Sequence, residues 1–162
     1  MKTLALAFAA LMIATPAISQ EKTEGRLLAE LAFDSVDTAG RNYIDMGEFS
    51  EFGMSVFAGM DYDDNEKITL AEFLSWDIGM EPIAVQAGRA EAYETALRVV
   101  FAFWDRNGDN LISKTELRQS MASDFRRADT DNNAVLTKEE FTTGYSVIVA
   151  MRAAINPAPI QQ

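Results

Sequence analysis

An all-α protein built from four copies of one helix–loop–helix unit, arranged in two pairs, is the architecture this sequence predicts, and three observations carry the prediction. The first is an internal repeat: FDSVDTAGRNYIDMGEF from residue 33, FAGMDYDDNEKITLAEF from 57, FAFWDRNGDNLISKTEL from 101 and FRRADTDNNAVLTKEEF from 125 align without gaps. Each copy has Phe first, Asp fifth, Ile or Leu twelfth, Glu sixteenth and Phe or Leu seventeenth, and a repeat of this kind fixes architecture before any single element does. The second is the spacing of oxygen-bearing side chains inside the copies, as in Asp105, Asn107 and Asp109, which close on Glu116. The third is composition. The 162 residues carry 25 Asp+Glu against 14 Lys+Arg, a net charge of −11, with no cysteine and no histidine.

Composition also removes whole classes of function. Without cysteine there are no disulfides, thiolate nucleophiles or thiolate metal sites, and without histidine the commonest general base and transition-metal ligand are absent. Oxygen chemistry remains. The acidic balance makes cations the expected partners and disfavours nucleic acid and anionic membrane surfaces.

The first residues read as an export signal rather than as part of the fold. Lys2 gives a positive start, Leu4 to Ile13 form an apolar run, Pro16 breaks it, and Ala17 and Ser19 supply small residues for cleavage before Gln20. That run is shorter than the roughly 20 residues needed to span a bilayer. Residues 1–19 are therefore expected to be a signal peptide, placing the mature chain in the periplasm or outside the cell with no membrane span. The division that follows is 20–80 for the first two units, 81–88 for a linker, 89–156 for the last two and 157–162 for a flexible tail.

The four 17-residue copies resemble the EF-hand, in which two helices flank a 12-residue calcium loop, and the resemblance covers residues 27–154. It is to calmodulin-like proteins with four such units, of the exported bacterial type, and it implies calcium binding without catalysis. Calcium takes six to eight oxygens, and such a loop offers them from positions 1, 3, 5, a backbone carbonyl at 7, a position 9 often bridged by water, and a bidentate glutamate at 12. Carried onto this chain, the second loop supplies Asp61, Asp63, Asn65, the Lys67 carbonyl and Glu72. The third supplies Asp105, Asn107, Asp109, the Leu111 carbonyl and Glu116, and the fourth Asp129, Asp131, Asn133, the Val135 carbonyl and Glu140. Position 9 is Thr69, Ser113 or Thr137. Position 8 (Ile44, Ile68, Ile112, Leu136) is expected in short strands that bridge two loops.

The first loop departs from this set. With Asp37 at position 1 and Glu48 at 12, positions 3 and 5 are Ala39 and Arg41, and a register starting at Asp34 puts Val36 at position 3. A structural hand without an ion is the expectation there. All four loops also lack the family's glycine at position 6, having Asn42, Glu66, Asn110 and Ala134. Asparagine tolerates the required positive φ, whereas Glu or Ala costs on the order of 1–2 kcal/mol, which ranks the third loop above the second and fourth.

Only 12 residues separate Glu48 from Asp61, and 12 separate Glu116 from Asp129, about 18 Å of helix. Two short helices bent at Gly53 would let consecutive loops pair, whereas one continuous helix would hold them apart and pair loop two with three and one with four. The sequence leaves both open. Arg89 to Trp104 and Phe141 to Ala154 are expected to be helices, the first of them preceded by a break at 79–88 that contains Pro82. Met46, Met54, Met60, Met80, Met121 and Met151 read either as core filling or, with Trp76 and Trp104, as an apolar groove for a protein partner. Three functional classes follow: a calcium-responsive or calcium-stabilised interaction module, a calcium buffer with no partner, and a carboxylate hydrolase, for which the loops leave no clustered acids over.

Overall fold

A computed structural model describes residues 23–157, so the expected signal peptide at 1–19, its cleavage point and tail residues 158–162 lie outside the described part. Each repeat folds in the same way. Helices α1 (Glu24–Val36), α2 (Met46–Met60), α5 (Ala90–Trp104) and α6 (Lys114–Ala128) end at the first loop aspartate. The backbone N–H of Asp37, Asp61, Asp105 or Asp129 closes the helix onto the carbonyl of the repeat's leading phenylalanine. Six residues on, a three-residue strand begins, and it gives way to the next helix at the tenth loop position. These strands are β1 (Tyr43–Asp45), β2 (Lys67–Thr69), β3 (Leu111–Ser113) and β4 (Val135–Thr137). The helices that follow are α2, α3 (Leu70–Ser75), α6 and α7 (Lys138–Gly144).

The question of linker geometry is answered by α2 and α6. Each runs unbroken for 15 residues, about 22 Å, and holds one loop at either end, facing away from each other. The strands therefore pair across the sequence. β1 lies antiparallel to β4 with Ile44 opposite Leu136, and β2 antiparallel to β3 with Ile68 opposite Ile112. Each small sheet joins a loop from residues 20–80 to one from 89–156, and α2 packs against α6 between the two sheets. Gly53 is no bend but a contact: a Cβ there would lie 2.9 Å from Met121 Cγ and Cε, so the missing side chain lets the two long helices approach.

The repeat's apolar positions build the core. Phe33, Phe57, Phe101 and Phe125 at its start, Phe49, Phe73, Leu117 and Phe141 at its end, and the four position-8 residues are all buried. Around the β1–β4 sheet the rings meet edge to face, Phe33 with Phe141 at 5.8 Å, Phe49 with Phe125 at 5.6 Å and Phe49 with Tyr145 at 5.0 Å. Around β2–β3, Phe73 meets Phe101 and Trp104 at 5.6 and 5.7 Å. Such pairs add about 0.5–1.5 kcal/mol each beyond area burial. Met60, Met80, Met121 and Met151 are buried and Met46 and Met54 pack against the core, so the methionines serve as filling.

Two expectations need correction. Residues 79–88 are not simply a break: Pro82 sits in the first turn of a short helix α4 (Glu81–Gln86), where its missing N–H costs nothing. Asp77 Oδ1 accepts the N–H groups of Met80 (3.0 Å) and Glu81 (3.1 Å) to start it. Nor is 141–154 one helix. It divides at Tyr145, which lies extended between α7 and α8 (Ser146–Ile155), because a straight continuation would carry α8 away from α5, the helix it packs on.

Candidate metal sites

The loop backbone follows from two left-handed residues. Position 4 (Gly40, Asp64, Gly108, Asn132) has φ between 54° and 73°, and position 6 (Asn42, Glu66, Asn110, Ala134) has φ between 62° and 67°. The chain thus makes the sharp turn with no glycine at position 6, and Glu66 and Ala134 bear the associated strain. What holds the turn is the position-1 aspartate. Its Oδ1 accepts the position-5 N–H and its Oδ2 the position-6 N–H in every loop, at 3.0 and 3.0 Å from Asp61, 3.1 and 2.9 Å from Asp105, and 3.0 and 3.0 Å from Asp129.

The position-12 glutamate joins the far side of each loop to the exiting helix. Glu116 Oε1 accepts the Arg106 N–H at 3.1 Å, while its Oε2 accepts the Ser113 N–H and hydroxyl at 2.9 and 2.7 Å. Glu72 does the same with Tyr62 and Thr69, and Glu140 with Thr130 and Thr137. Thr69, Ser113 and Thr137 in turn cap their helices by accepting the glutamate's own N–H. This reciprocal capping box was legible as S/T-x-x-E at positions 9 and 12 but is absent from a reading based on ligand count alone.

The donors keep these carboxylates ionised. For Glu72 the Thr69 N–H and hydroxyl hold the carboxyl below its usual range. For Glu116 and Glu140 partial burial pushes upward, yet the N–H and hydroxyl groups around them prevail and the net shift is downward.

Carboxylate oxygens converge in two loops. Those of Asp61, Asp63 and Glu72 lie within 4.8 Å of one another, as do those of Asp129, Asp131 and Glu140, and both sets are of a kind that could hold a metal ion. Hard, anionic oxygens at this separation suit calcium rather than a soft metal. The third loop has an amide at position 3, and Asn107 Nδ2 donates to Asp109 Oδ2 at 3.1 Å.

In the first loop the anionic groups are turned toward a side chain. Arg41 donates to Asp45 Oδ2 at 2.7 Å and to Glu48 Oε2 at 2.6 Å. Asp37 still accepts the N–H groups of Arg41 and Asn42 at 2.9 and 2.7 Å. The guanidinium is the leading cause that holds Asp45 below the usual carboxylate range. For Glu48, burial pushes upward but the Asp45 N–H and Arg41 outweigh it. Neither the role of Asp45 nor its contact with Arg41 was part of the sequence reading: Arg41 lies in the loop and Asp45 at the end of β1, so no helical spacing signals their meeting.

Residues 97–122, which comprise the end of α5, the third loop and the first half of α6, match the family model described as EF hand. No curated protein matches the chain. The match spans the third loop and suggests calcium-ion binding there.

Proposed function

We propose that this chain is a four-hand calcium-binding protein in which the second, third and fourth loops each take one Ca2+ and the first serves as a structural hand. The observation that supports it best is the sameness of the four loops. The one matched to the family shares with the other three its left-handed residues at positions 4 and 6, its aspartate clasp and its glutamate tie to the next helix. The ion would be held by Asp61, Asp63, Asn65, the Lys67 carbonyl and Glu72; by Asp105, Asn107, Asp109, the Leu111 carbonyl and Glu116; and by Asp129, Asp131, Asn133, the Val135 carbonyl and Glu140. The ion supplies the positive charge that these oxygens lack, and the chain's part is to hold the donors ionised and converging. Export to the periplasm or beyond, where no disulfide could brace this chain, fits a fold braced by calcium, since an ion that binds only the folded state adds its binding free energy to stability.

A second reading, a module that responds to calcium by engaging a protein, is favoured by one feature. A cavity of about 310 Å3 opens between α1, α2, α3, α5 and α8, lined by Leu31, Val56, Trp76, Leu97, Trp104 and Met151 among others. Leu31 at its rim is 62% exposed. Calorimetric titration of residues 20–162 with Ca2+ after chelation, with an apolar dye followed in the same samples, tests both. About three ions per chain with unchanged dye signal is the expected result for a calcium-stabilised protein. A dye signal that rises with calcium would select the responsive module, and no bound ion would refute both.

A further inference from the structure

The first loop differs from its three counterparts at three places that compensate one another. Position 3 has lost its oxygen (Ala39), position 5 has exchanged an acceptor for a cation (Arg41), and position 9 has exchanged a hydroxyl for a carboxylate (Asp45). The fold brings the last two together. Arg41 leaves the turn at position 5, reaches the first turn of α2 and bonds Asp45 and Glu48, with its guanidinium carbon 4.5 Å above the Tyr43 ring. Glu48 Oε1 meanwhile accepts from the Thr38 hydroxyl and the Ala39 N–H, both at 3.2 Å. An ion in such a loop would tie position 5 to position 12, and here a covalently attached cation does so.

We propose that the Arg41 guanidinium is the resident cation of the first loop, taking the place of Ca2+ there and keeping the β1–β4 sheet assembled when no metal is bound. That Arg41 substitutes for Ca2+ rests on the reading that the other loops bind calcium; the charge tie itself needs no metal. The consequence is an asymmetry. Loop four has a strand beside it that is held by a side chain of its own loop, whereas in the β2–β3 pair the cation that reaches across, Lys114, bonds Glu66 at position 6 and not the position-12 glutamate.

The test has a metal-free arm and a metal-binding arm. In chelator, amide exchange at Ile44 and Leu136 is expected to be slower than at Ile68 and Ile112 by about tenfold, reporting unequal local opening of the two sheets. Arg41→Met, which keeps the aliphatic stem and removes the charge, should abolish that difference while leaving Ile68 and Ile112 unchanged. In the second arm, the double variant Ala39→Asp, Arg41→Asp should bind one more Ca2+ per chain than the natural protein. Equal exchange in the two sheets of the natural protein, no effect of Arg41→Met, or no additional ion in a folded double variant would overturn the proposal. Should the double variant fail to fold, the exchange measurement decides alone. If the natural protein binds no calcium at all, the calcium-binding function fails while the exchange comparison still judges Arg41.

Discussion

At the scale of single residues, the loops are held by groups whose roles depend on position more than on type. Ala134 is the clearest instance. It has a φ of 67°, where a Cβ costs on the order of 1–2 kcal/mol, and its side chain makes no hydrogen bond to offset that. Glu66, the other strained residue, differs: its carboxylate accepts from Lys114 Nζ at 2.9 Å, so it links loop two to the helix that leaves loop three. Ala134→Gly should therefore stabilise the calcium-free protein by about 1 kcal/mol, the strain relieved less the greater entropy lost by glycine on folding. Urea denaturation in chelator measures it, and an unchanged midpoint would mean that the turn stores no strain. Position-1 and position-12 acids were readable from spacing, because a cation cage and a capping box both demand acids at fixed intervals. Arg41 was readable only as a misfit, since its partner Asp45 stands at the water-bridged position 9, where the other loops have a hydroxyl, and their meeting depends on how the loop folds back on α2.

At the scale of elements, sequence reasoning reached a choice it could not make, and the reason is physical. Twelve residues between loops fit either one rod or two bent stubs, and local propensity favours neither strongly. The decision falls to packing between α2 and α6, where Gly53 admits Met121, a contact between residues far apart in the chain. The division of the last helix at Tyr145 has a similar origin. Gly144 ends α7 against Ala128, and a Cβ on it would lie 2.6 Å from Ala128 Cα and 2.8 Å from its Cβ. Nothing in residues 141–154 alone signals that approach. Gly144→Ala should accordingly destabilise the fold by about 1–3 kcal/mol, as overpacking against backbone does, although alanine is the better helix former in isolation. Thermal unfolding would reveal it, and a stabilised variant would show that α6 and α7 can separate freely.

At the scale of the whole molecule, a chain with net charge −11 folds with its acids gathered into loops, so its stability is set by what neutralises them. Among the described residues the protein supplies some cations itself: Arg26 bonds Glu30 and Glu139, Lys138 bonds Asp34, and Arg41 bonds Asp45 and Glu48. The first-loop carboxylates make the pH behaviour predictable. Asp45 and Glu48 have folded-state pKa values depressed below their ordinary ones, so their contribution is complete above the ordinary carboxylate range near pH 4 and is lost as pH falls through the depressed folded values. Loops two, three and four share the sign, because Glu72, Glu116 and Glu140 are also held low. Protonating them would at the same time expel calcium. The calcium-saturated protein should thus lose stability on acidification faster than the chelated one, and the two unfolding midpoints should converge below about pH 4, where each site's advantage of about 2.7 kcal/mol at a hundredfold excess over Kd has gone. Thermal unfolding across this range, with and without chelator, checks the convergence. A gap that persisted in acid would mean that the ion is not held by these carboxylates.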